Sequence, residues 1–385
     1  MPDRRDGRFG LVSGWTIVDL CAQLTSDATL EAAFDWLCRR RLNYSANADV
    51  WTLRRYWPQE KQIIKDAIAA GDYRFSLLSR VRLSTGEEID LWAARDALVL
   101  KALALVLAGV LPVSSRCTHV RGNGGAKFAV REVRDHLAQN SFVLRTDVKS
   151  YYASIDHLML LDQLAVHVRD RRLLNLLGQY LRRTSERGGS FWDFKKGISL
   201  GCPLSPLMGA FYLHELDTVM ERAMSRGGLF YVRYMDDILV LSRTRWGLRR
   251  AVRVVNGFFR DLDLSQHPDK TFIGRIERGF DFLGYHFSRD TDGVQAFGLA
   301  AVTVAKFKEK LFRLYEQARR AMASARSGRP RGTEPSTSDS IATHIDNYER
   351  RWLAWARGGL NHASSLHLVH DFAVVHCLRG RDRGT

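Results

Sequence analysis

Apolar positions recur at two different spacings and divide the chain into helical and extended stretches. In residues 14–41, 59–71 and 95–109 they return every three or four positions, which predicts helices. The second of these helices ends at Gly71, a residue suited to the left-handed conformation that closes many helices. Around STGEE (84–88) apolar and polar residues alternate instead, which predicts a hairpin.

The middle of the chain mixes short strands with helices. FVLRTDV (142–148) is typical of a short buried strand that runs into a turn, and YVRYMDDILVL (231–241) of an apolar hairpin. The other predicted elements here are a hairpin-like stretch at 187–201, helices at 205–225 and 246–262, and short strands at 270–274 and 280–288.

From about residue 303 onward the pattern is helical and basic. An amphipathic helix at 304–325 is followed by the low-complexity stretch RSGRPRGTEPSTSDS (326–340) and by two helical segments at 344–360 and 363–378. The low-complexity stretch has two open interpretations, a linker or a segment that becomes ordered on RNA. The whole pattern predicts an α+β body with a helical, basic C-terminal part.

Composition narrows the class of protein. The 385-residue chain is 45% hydrophobic, as expected of a globular protein with a real core. No apolar run reaches the ~18 residues of a membrane span and no signal peptide is visible, so we expect a cytoplasmic protein without a membrane partner. The five scattered cysteines lack a C-x-x-C pair, which argues against a disulfide framework and a zinc site. The net charge of +16 makes nucleic acid the first candidate partner.

Two adjacent carboxylates, Asp236 and Asp237, stand in the middle of the apolar hairpin. Burying such a pair is costly unless a cation or a proton compensates its charge. Short hard-oxygen ligands suit Mg²⁺, which usually takes one or two protein carboxylates and completes its shell with phosphate and water. Asp147 ends the apolar strand FVLRTD and is the candidate third carboxylate of a two-metal site.

Five stretches resemble, in order, the motifs of reverse transcriptases. They are RTDVKSYYASIDH (145–157), LGCPLSPLMGAFYL (200–213), YVRYMDDILVL (231–241), HPDKTFIG (267–274) and GFDFLGY (279–285). Upstream, RVRLSTGEEIDLWAARDALVLKAL (80–103) is similar to the fingers of group II intron-type enzymes. The occurrence of five motifs in order is highly specific, and the resemblance to the prokaryotic reverse transcriptase family spans residues 30–360.

The resemblance implies an α+β right-hand polymerase. Residues 1–140 would hold N-terminal helices and fingers, and 141–295 the palm, an antiparallel sheet with helices on one face. Further fingers and palm elements would lie around 158–200, and 296–385 would form an all-helical thumb and C-terminal segment.

The resemblance also implies catalytic roles. Asp147, Asp236 and Asp237 would hold two Mg²⁺ ions, with Mn²⁺ as the alternative ion, and Lys270 would protonate the leaving pyrophosphate. A solvated loop lysine is the other open interpretation of Lys270. Tyr152 would be the steric gate that excludes a 2′-hydroxyl and favours dNTPs, although a core tyrosine fits the same pattern.

Further residues would contact the nucleotide or the nucleic acid. The substrate-binding candidates are Val148, Leu200, Gly201, Arg80 and Arg82. The nucleic-acid-binding candidates are Arg233, Gly284, Lys306, Lys310 and Arg313. Two alternatives stay open, since Arg233 also fits a salt bridge and the helix that carries Lys306 also fits an ordinary solvated face. Phe307, Phe312 and Tyr315 of that helix are expected to pack.

The sequence departs from the family pattern in two places. Leu200 stands where many relatives have a glutamine that touches the incoming nucleotide, an aliphatic choice shared with mutagenic diversity-generating enzymes, which puts fidelity in question. The fingers segment STGEEIDLW (84–92) is acidic and short where a lysine and an arginine usually clamp the triphosphate, so Arg80 or Arg82 is the candidate substitute.

The function expected is an RNA-directed DNA polymerase that adds dNTPs to a primer on an RNA template. A short chain of this kind resembles stand-alone bacterial enzymes that work with a dedicated noncoding RNA in antiphage defence. The alternatives are a diversity-generating or group II intron-derived reverse transcriptase, and a catalytically weak nucleic-acid-binding scaffold with the polymerase fold. The sequence determines neither the template, the primer nor whether the chain forms a homo-oligomer.

Overall fold

The computed structural model of the chain describes residues 19–359, apart from 83–85, 87, 290–294 and 327–336. The predicted C-terminal segment at 363–378 and most of the low-complexity stretch lie outside the described residues.

The described helices and strands mostly occur in runs of one type along the chain, as expected of an α+β protein. The helices are α1 (Leu20–Leu24), α2 (Asp27–Arg40), α3 (Asp49–Arg55), α4 (Trp57–Ala70), α5 (Ala94–Leu107), α6 (Gly125–His136), α7 (Tyr151–Ser154), α8 (His157–His167), α9 (Arg171–Leu181), α10 (Ser205–Tyr212), α11 (His214–Ser225), α12 (Arg245–Asp261), α13 (Ala301–Arg326) and α14 (Thr337–Arg357). The strands are β1 (Leu78–Arg82), β2 (Glu88–Leu91), β3 (Phe142–Thr146), β4 (Thr184–Arg187), β5 (Ser190–Asp193), β6 (Leu229–Tyr234), β7 (Asp237–Ser242), β8 (Phe272–Arg275), β9 (Phe280–Phe282), β10 (Tyr285–Arg289) and β11 (Gln295–Leu299).

These elements confirm the helices and hairpins predicted from residue spacing. Helix α4 closes at Gly71, which adopts a φ of +79°. Strands β1 and β2 pair antiparallel around the STGEE turn, and β6 and β7 form the apolar hairpin. None of the described helices is both long and apolar enough to cross a membrane. Among the described residues Cys21, Cys38, Cys117 and Cys202 carry free thiols.

The chain divides into two compact units, which differ from the predicted three-part division. The first contains Met1–Leu111 and His157–Ser205, and the second Pro112–Asp156 and Pro206–Thr385. The assignment of residues 1–140 to N-terminal helices and fingers stays a prediction, and in the two-unit division residues 112–140 lie in the second unit. The reason is that α6 buries Ala129, Val130 and Val133 in the core of the second unit.

The first unit contains a four-stranded sheet and several helices. Its strand order is β2-β1-β4-β5, in which two antiparallel hairpins are joined by a parallel pairing of β1 with β4. Helix α5 is apolar on nearly every side and is almost entirely buried, as its sequence predicted. At its start, Asp96 accepts hydrogen bonds from the Tyr73 hydroxyl at 2.8 Å and from the Ser76 N–H at 2.9 Å.

The second unit contains an antiparallel four-stranded sheet in the order β6-β7-β3-β8 and a smaller antiparallel sheet in the order β11-β10-β9. One face of the larger sheet packs on α6 and on the smaller sheet through Val143, Phe230, Val232, Leu239 and Leu241. Strand residues on the opposite face contact α11. The expectation that helices cover one face is therefore wrong, because β6 and β7 are apolar on both sides and bury both.

Helices α13 and α14 pack together around a separate apolar cluster. Phe307, Leu311 and Leu314 of α13 are buried against Ile345 of α14, and Tyr315 packs beside them. Phe312, which was expected to pack as well, is instead 57% exposed.

A fully buried ion pair joins the larger sheet to α11. Arg233 of β6 has no exposed surface, and its guanidinium donates to both carboxylate oxygens of Asp217. Asp217 also accepts from the Tyr231 hydroxyl at 2.6 Å, and Arg233 donates to the backbone oxygens of Ala210 and Met235 at 2.9 and 2.8 Å. Every charged atom of the pair is thus satisfied, which a buried ion pair needs to be tolerated.

The ion pair carries a stability prediction. Replacing one partner leaves the other charge buried alone, so Arg233→Met should lower the free energy of unfolding by about 3–5 kcal/mol. The exposed pair of Arg260 and Asp261 in the same unit is the matched control, and Arg260→Met should cost under about 1 kcal/mol. Urea unfolding of both variants measures the difference. Equal costs for the two would contradict the assignment.

Candidate active site

The hairpin of β6 and β7 ends in a two-residue turn that carries one of the predicted carboxylates. Tyr234 pairs with Asp237, which leaves Met235 and Asp236 at the tip. Met235 adopts a φ of +57°, a conformation that costs energy in residues other than glycine. Its N–H donates to His119 Nδ1 at 3.0 Å, and its carbonyl accepts from Arg233 Nη1 at 2.8 Å. Hydrogen bonds from both sides therefore hold the strained turn in place.

His119 acts here as a neutral bridge. Its Nδ1 accepts the Met235 N–H, so its Nε2 carries the proton and donates to the Pro206 carbonyl at 3.1 Å. Burial lowers the pKa of His119 to about 4, which keeps the ring uncharged at neutral pH.

Strand register brings a third carboxylate beside the turn. Thr146 of β3 pairs with Ile238 of β7, and the same register carried one residue further sets Asp147 next to Asp237. Asp147 is only 5% exposed. Burial, with the Asp147 and Asp236 carboxylates adding to it, raises the pKa of Asp237 to about 6, although Arg145 opposes the shift. Burial and Asp147 likewise raise the pKa of Asp236. The structure thus brings the three predicted carboxylates together.

Two cations face this acidic cluster. Lys270 donates to Asp147 Oδ2 at 2.5 Å, and that hydrogen bond raises the pKa of the lysine. The guanidinium of Arg145 lies 3.5 Å from Asp237 Oδ1 and donates to the Lys270 carbonyl at 2.8 Å. Lys270 is therefore no free loop lysine, although its side chain keeps 48% of its surface exposed.

Backbone pairing brings Lys270 to the site. The segment that precedes it runs beside the residues following β3, with the His267 N–H donating to the Asp147 carbonyl at 2.8 Å and the Lys149 N–H to the Ser265 carbonyl at 2.9 Å. A 3₁₀ turn at Pro268–Lys270 then points the chain back towards β3.

The donor set fits a hard divalent cation held by few protein ligands. Asp237 Oδ1 is buried and accepts no hydrogen bond from the described residues. Yet no three His, Cys, Asp or Glu side chains of the described part are arranged to ligate one ion. The site is therefore no ready-made metal cage. It suits Mg²⁺, which binds through one or two carboxylates and takes its other ligands from phosphate and water.

Comparison with known proteins identifies the domain that contains this site. Residues 99–287 match the family model described as reverse transcriptase (RNA-dependent DNA polymerase). This range contains Asp147, Asp236, Asp237 and Lys270. Residues 99–287 of this chain are a reverse transcriptase domain. Reverse transcriptases are RNA-directed DNA polymerases, and the family implies the right-hand polymerase fold.

Individual relatives are distant. Protein YkfC of Escherichia coli is 24% identical over 278 residues, which cover 60% of this chain and 71% of YkfC. The group II intron-encoded protein LtrA of Lactococcus lactis is 24% identical over 124 residues, 32% of this chain and 21% of LtrA. A 91 kDa protein in a cob intron of Schizosaccharomyces pombe is 24% identical over 139 residues, 36% of this chain and 17% of that protein. The matched stretch spans only about a fifth of each of these two intron-encoded proteins.

Tyr152, the predicted gate of the reverse transcriptase, is half-buried beside α10. A Cβ on Gly209 would lie 2.9 Å from the Tyr152 ring, so this glycine is needed for the ring's close approach to the helix. The neighbouring Tyr151 is buried and donates to the Gly209 carbonyl at 2.6 Å. Tyr151 therefore serves the core, and the role of Tyr152 as a gate stays a prediction.

Four predicted substrate residues lie in the first unit. Leu200 is 73% exposed, and Gly201 adopts a φ of +75° with open space around its Cα, which favours glycine for conformational reasons. Arg82 is exposed and donates to the Gly86 carbonyl at 3.3 Å. Arg80 instead forms two hydrogen bonds with Asp90 across the hairpin, at 2.9 and 3.2 Å. Arg80 is therefore a structural residue, and of the two clamp candidates Arg82 remains.

Two further predictions are wrong because the side chains are buried. Val148 is 1% exposed, so its side chain is not available to a nucleotide. Arg233 was a candidate for a phosphate contact, but its guanidinium is enclosed with Asp217, which selects the salt-bridge alternative.

The predicted nucleic-acid residues near the C-terminal helices have different surroundings. Lys306, Lys310 and Arg313 are exposed on α13, where Arg313 pairs with Glu309. Gly284 packs, since a Cβ there would lie 2.9 Å from the Trp355 ring and its carbonyl accepts from Ala300 and Thr303, both at 3.0 Å. Their contacts with nucleic acid stay predictions.

Sequence reasoning missed two functional candidates. Arg145 lies two residues before Asp147 on the same strand, a spacing that puts both side chains on one face, so a signal was present. His119 gave no signal, because its partner Met235 is 116 residues away.

His119 should support the turn without charge. His119→Phe removes both hydrogen bonds and leaves the Met235 N–H buried, so it should lower the free energy of unfolding by about 1–3 kcal/mol and reduce polymerase activity. His119→Gln keeps a donor and an acceptor and is the matched control. A Phe variant as active and as stable as the Gln variant would contradict the role.

The depressed pKa of His119 predicts a pH effect. Between the ordinary histidine pKa of 6.5 and the folded-state pKa of about 4, the unfolded chain binds a proton that the folded chain does not. The stabilising contribution of neutral His119, present above pH 6.5, is therefore lost as the pH falls. The stability of the native chain relative to His119→Gln should fall by about 2–3 kcal/mol over this range. Urea unfolding at several pH values measures it, and a constant difference would refute the assignment.

The Tyr152 ring should control sugar selection through its position. Tyr152→Ala should admit ribonucleotides, and Gly209→Ala should weaken the same discrimination because the new methyl group displaces the ring. Gly257→Ala on α12 is the control, since nothing lies within 4 Å of its added Cβ. Single-nucleotide incorporation of dNTP against rNTP measures the ratio. Unchanged selectivity in Tyr152→Ala would remove the gate.

Proposed function

We propose that this chain copies RNA into DNA at the Asp147, Asp236 and Asp237 cluster, with two Mg²⁺ ions or, alternatively, Mn²⁺. The observation that supports this most is that one buried carboxylate, Asp147, and two half-buried carboxylates, Asp236 and Asp237, meet where β3 ends beside the β6–β7 turn, inside the range matched by the reverse transcriptase model. Bound Mg²⁺ would activate the primer 3′-hydroxyl and neutralise the nucleotide triphosphate.

The right-hand polymerase description assigns each part of the fold a role. The sheet β6-β7-β3-β8 would be the palm, the two hairpins of the first unit would belong to the fingers, and α13 with α14 would form the thumb. Lys306, Lys310 and Arg313 recur on one side of α13 at the spacing of a helical face, where they would follow the phosphates of the product duplex.

A groove beside the carboxylates suits the primer strand. It encloses about 1060 Å³ and extends from Arg145, next to Asp237, past β9 and β10 to Lys308 on α13. Phe280 and Phe297 line it with apolar surface, while Arg145 and Lys308 supply positive charge at its two sides. A groove of this composition accommodates sugars and bases and attracts phosphates.

Lys270 suits the release of pyrophosphate. Its raised pKa keeps a proton on Nζ at neutral pH, and its partly exposed ammonium group is held against Asp147. A protonated amine in that position would donate its proton to the departing oxygen and offset the negative charge that develops there.

Primer extension tests the proposed function. Purified full-length chain with Mg²⁺, an RNA template and an annealed primer should incorporate dNTPs, and Asp236→Asn and Asp147→Ala should reduce incorporation by about 10³-fold or more. Asp261→Asn, on the exposed end of α12, is the control that should retain activity. Wild-type inactivity with Mg²⁺ and Mn²⁺, or an active Asp236→Asn, would contradict the proposal.

The scaffold alternative gives the opposite result in the same assay. A nucleic-acid-binding scaffold would bind RNA equally well before and after Asp236→Asn and would incorporate nothing in either form. The intact carboxylate cluster and its two facing cations favour the enzyme.

We propose further that the chain is a bacterial enzyme that works with a noncoding RNA in antiphage defence. This role rests on the sequence resemblance described above. A diversity-generating or intron-derived enzyme is the alternative, and the group II intron origin of LtrA keeps it open. Sequencing the RNA that copurifies with the chain separates them: one abundant noncoding RNA supports the first role, and intron or variable-repeat transcripts support the second.

A further inference from the structure

A basic groove lies between α11 and α12, at the start of β6. It encloses about 650 Å³ and is called here the rear groove, lined by Arg222 of α11, by Arg226 directly after that helix, and by Trp246, Arg250 and Arg253 of α12. None of the predicted functional residues belongs to it.

The rear groove is remote from the catalytic turn. Its floor includes Leu229, which pairs with Ser242 at the open end of the hairpin, whereas the turn follows the pair of Tyr234 and Asp237. These two pairs are five residue steps apart, which corresponds to roughly 17 Å of strand. A ligand in the rear groove would therefore leave the carboxylate site open.

The arginines of the rear groove have no anionic partner in the described part of the chain. Helix α12 forms an ion pair between Arg260 and Asp261, but this pair lies at the end of the helix away from the groove. The four groove arginines are exposed, and none of them is within ion-pair distance of a described carboxylate. Four unneutralised guanidinium groups along a groove repel one another, and phosphate groups relieve that repulsion with paired hydrogen bonds.

Trp246 adds an aromatic platform to this charge. Its side chain is 72% exposed, and the Arg249 guanidinium lies 5.1 Å from its ring centre. The tight start of α12 fixes its place, since Thr244 caps the helix and a Cβ on Gly247 would come within 2.4 Å of Ser242 Oγ. Exposing a large tryptophan ring to water is unfavourable, and a group stacked on the ring would remove that apolar surface from water.

Arginines that follow a groove, together with one exposed aromatic ring, are the combination that holds single-stranded nucleic acid. We propose that the rear groove binds a single-stranded RNA segment through its phosphates and one base stacked on Trp246. This binding deepens the proposed function, on which it rests for the choice of RNA. The segment is either the unpaired part of the template or a separate RNA held while another strand is copied.

Binding of a fluorescent 20-nucleotide RNA to the full chain tests the proposal. Replacing Arg222, Arg226, Arg250 and Arg253 by glutamine should weaken binding by about 10–100-fold and lower the slope of log affinity against log salt by about 2–3. Trp246→Ala alone should weaken binding several-fold without changing that slope, and it covers the case in which the fourfold variant fails to fold. Ultraviolet crosslinking should join the RNA to Trp246 in the wild type.

A matched control separates the groove from general charge. Glutamine at Arg39, Arg40, Arg54 and Arg55, four exposed arginines of α2 and α3, removes the same charge and should reduce binding far less. Equal losses in the two fourfold variants, or full binding by Trp246→Ala with no crosslink at Trp246, would overturn the proposal. If the wild type bound RNA in the groove but extended no primer, the proposed polymerase function would be refuted and the groove proposal would stand.

The source of the RNA is read from the same variants. If the groove holds the template, the fourfold groove variant should lose affinity for a primer–template with a long unpaired template end but not for one with a short end. If it holds a separate RNA, the variant should lose binding of that RNA alone. An unaffected affinity in both cases would overturn the proposal.

Discussion

The buried contact between Arg233 and Asp217 is the interaction on which the catalytic part of this protein depends. Arg233 lies two residues before the strained Met235 and reaches its carbonyl, the carbonyl of Ala210 on α10 and the carboxylate of α11. Its backbone also pairs with the segment that carries His119, through the Arg116 carbonyl at 2.9 Å and the Thr118 N–H at 2.8 Å. One side chain and its backbone thus fix both hydrogen bonds that hold the turn.

This arrangement explains why a fully buried charge is present in the sheet. Desolvating an arginine and an aspartate costs several kcal/mol each, and an apolar pair of similar size would pack without that cost. An apolar pair would not, however, hold a left-handed methionine at the tip of a hairpin. The cost is offset by satisfied hydrogen bonds, and the result is a fixed direction for Asp236.

The carboxylate cluster, unlike the buried ion pair, carries an excess of negative charge. Three carboxylates face two cations, Lys270 and Arg145, so negative charge is left over beside a buried oxygen of Asp237 that accepts no hydrogen bond from the described residues. Burial first, and then this surplus of negative charge, raise the pKa of Asp237. A divalent cation and a nucleotide would relieve the surplus, and the strain is therefore stored where the proposed chemistry takes place.

The sequence was informative where the signal was local and silent where it was not. Apolar spacing predicted the helices and hairpins, and the ordered motifs identified Asp147, Asp236 and Asp237. For Arg80 a local signal was present but was not used, because pairing of the two hairpin strands places Arg80 opposite Asp90. The contact of Lys270 with Asp147 spans 123 residues and that of His119 with Met235 spans 116, distances at which only the folded chain defines a neighbour. The sequence did not predict helices on both faces of the sheet. A strand that is apolar on both sides indicates that both faces are covered, but it does not indicate which elements cover them.

The central proposal is that Asp147, Asp236 and Asp237 bind divalent ions at one place with the help of phosphate and water, and iron-mediated backbone cleavage tests it most directly. Fe²⁺ replaces Mg²⁺ in oxygen-ligand sites, and with ascorbate and peroxide it generates radicals that cut the chain within a few residues of the ion. Cuts beside Asp147 and beside the turn of Met235 and Asp236, both suppressed by excess Mg²⁺ and both lost in Asp236→Asn, are the predicted result. Cleavage at one of the two positions only, or cleavage that Asp236→Asn leaves unchanged, would contradict a shared site.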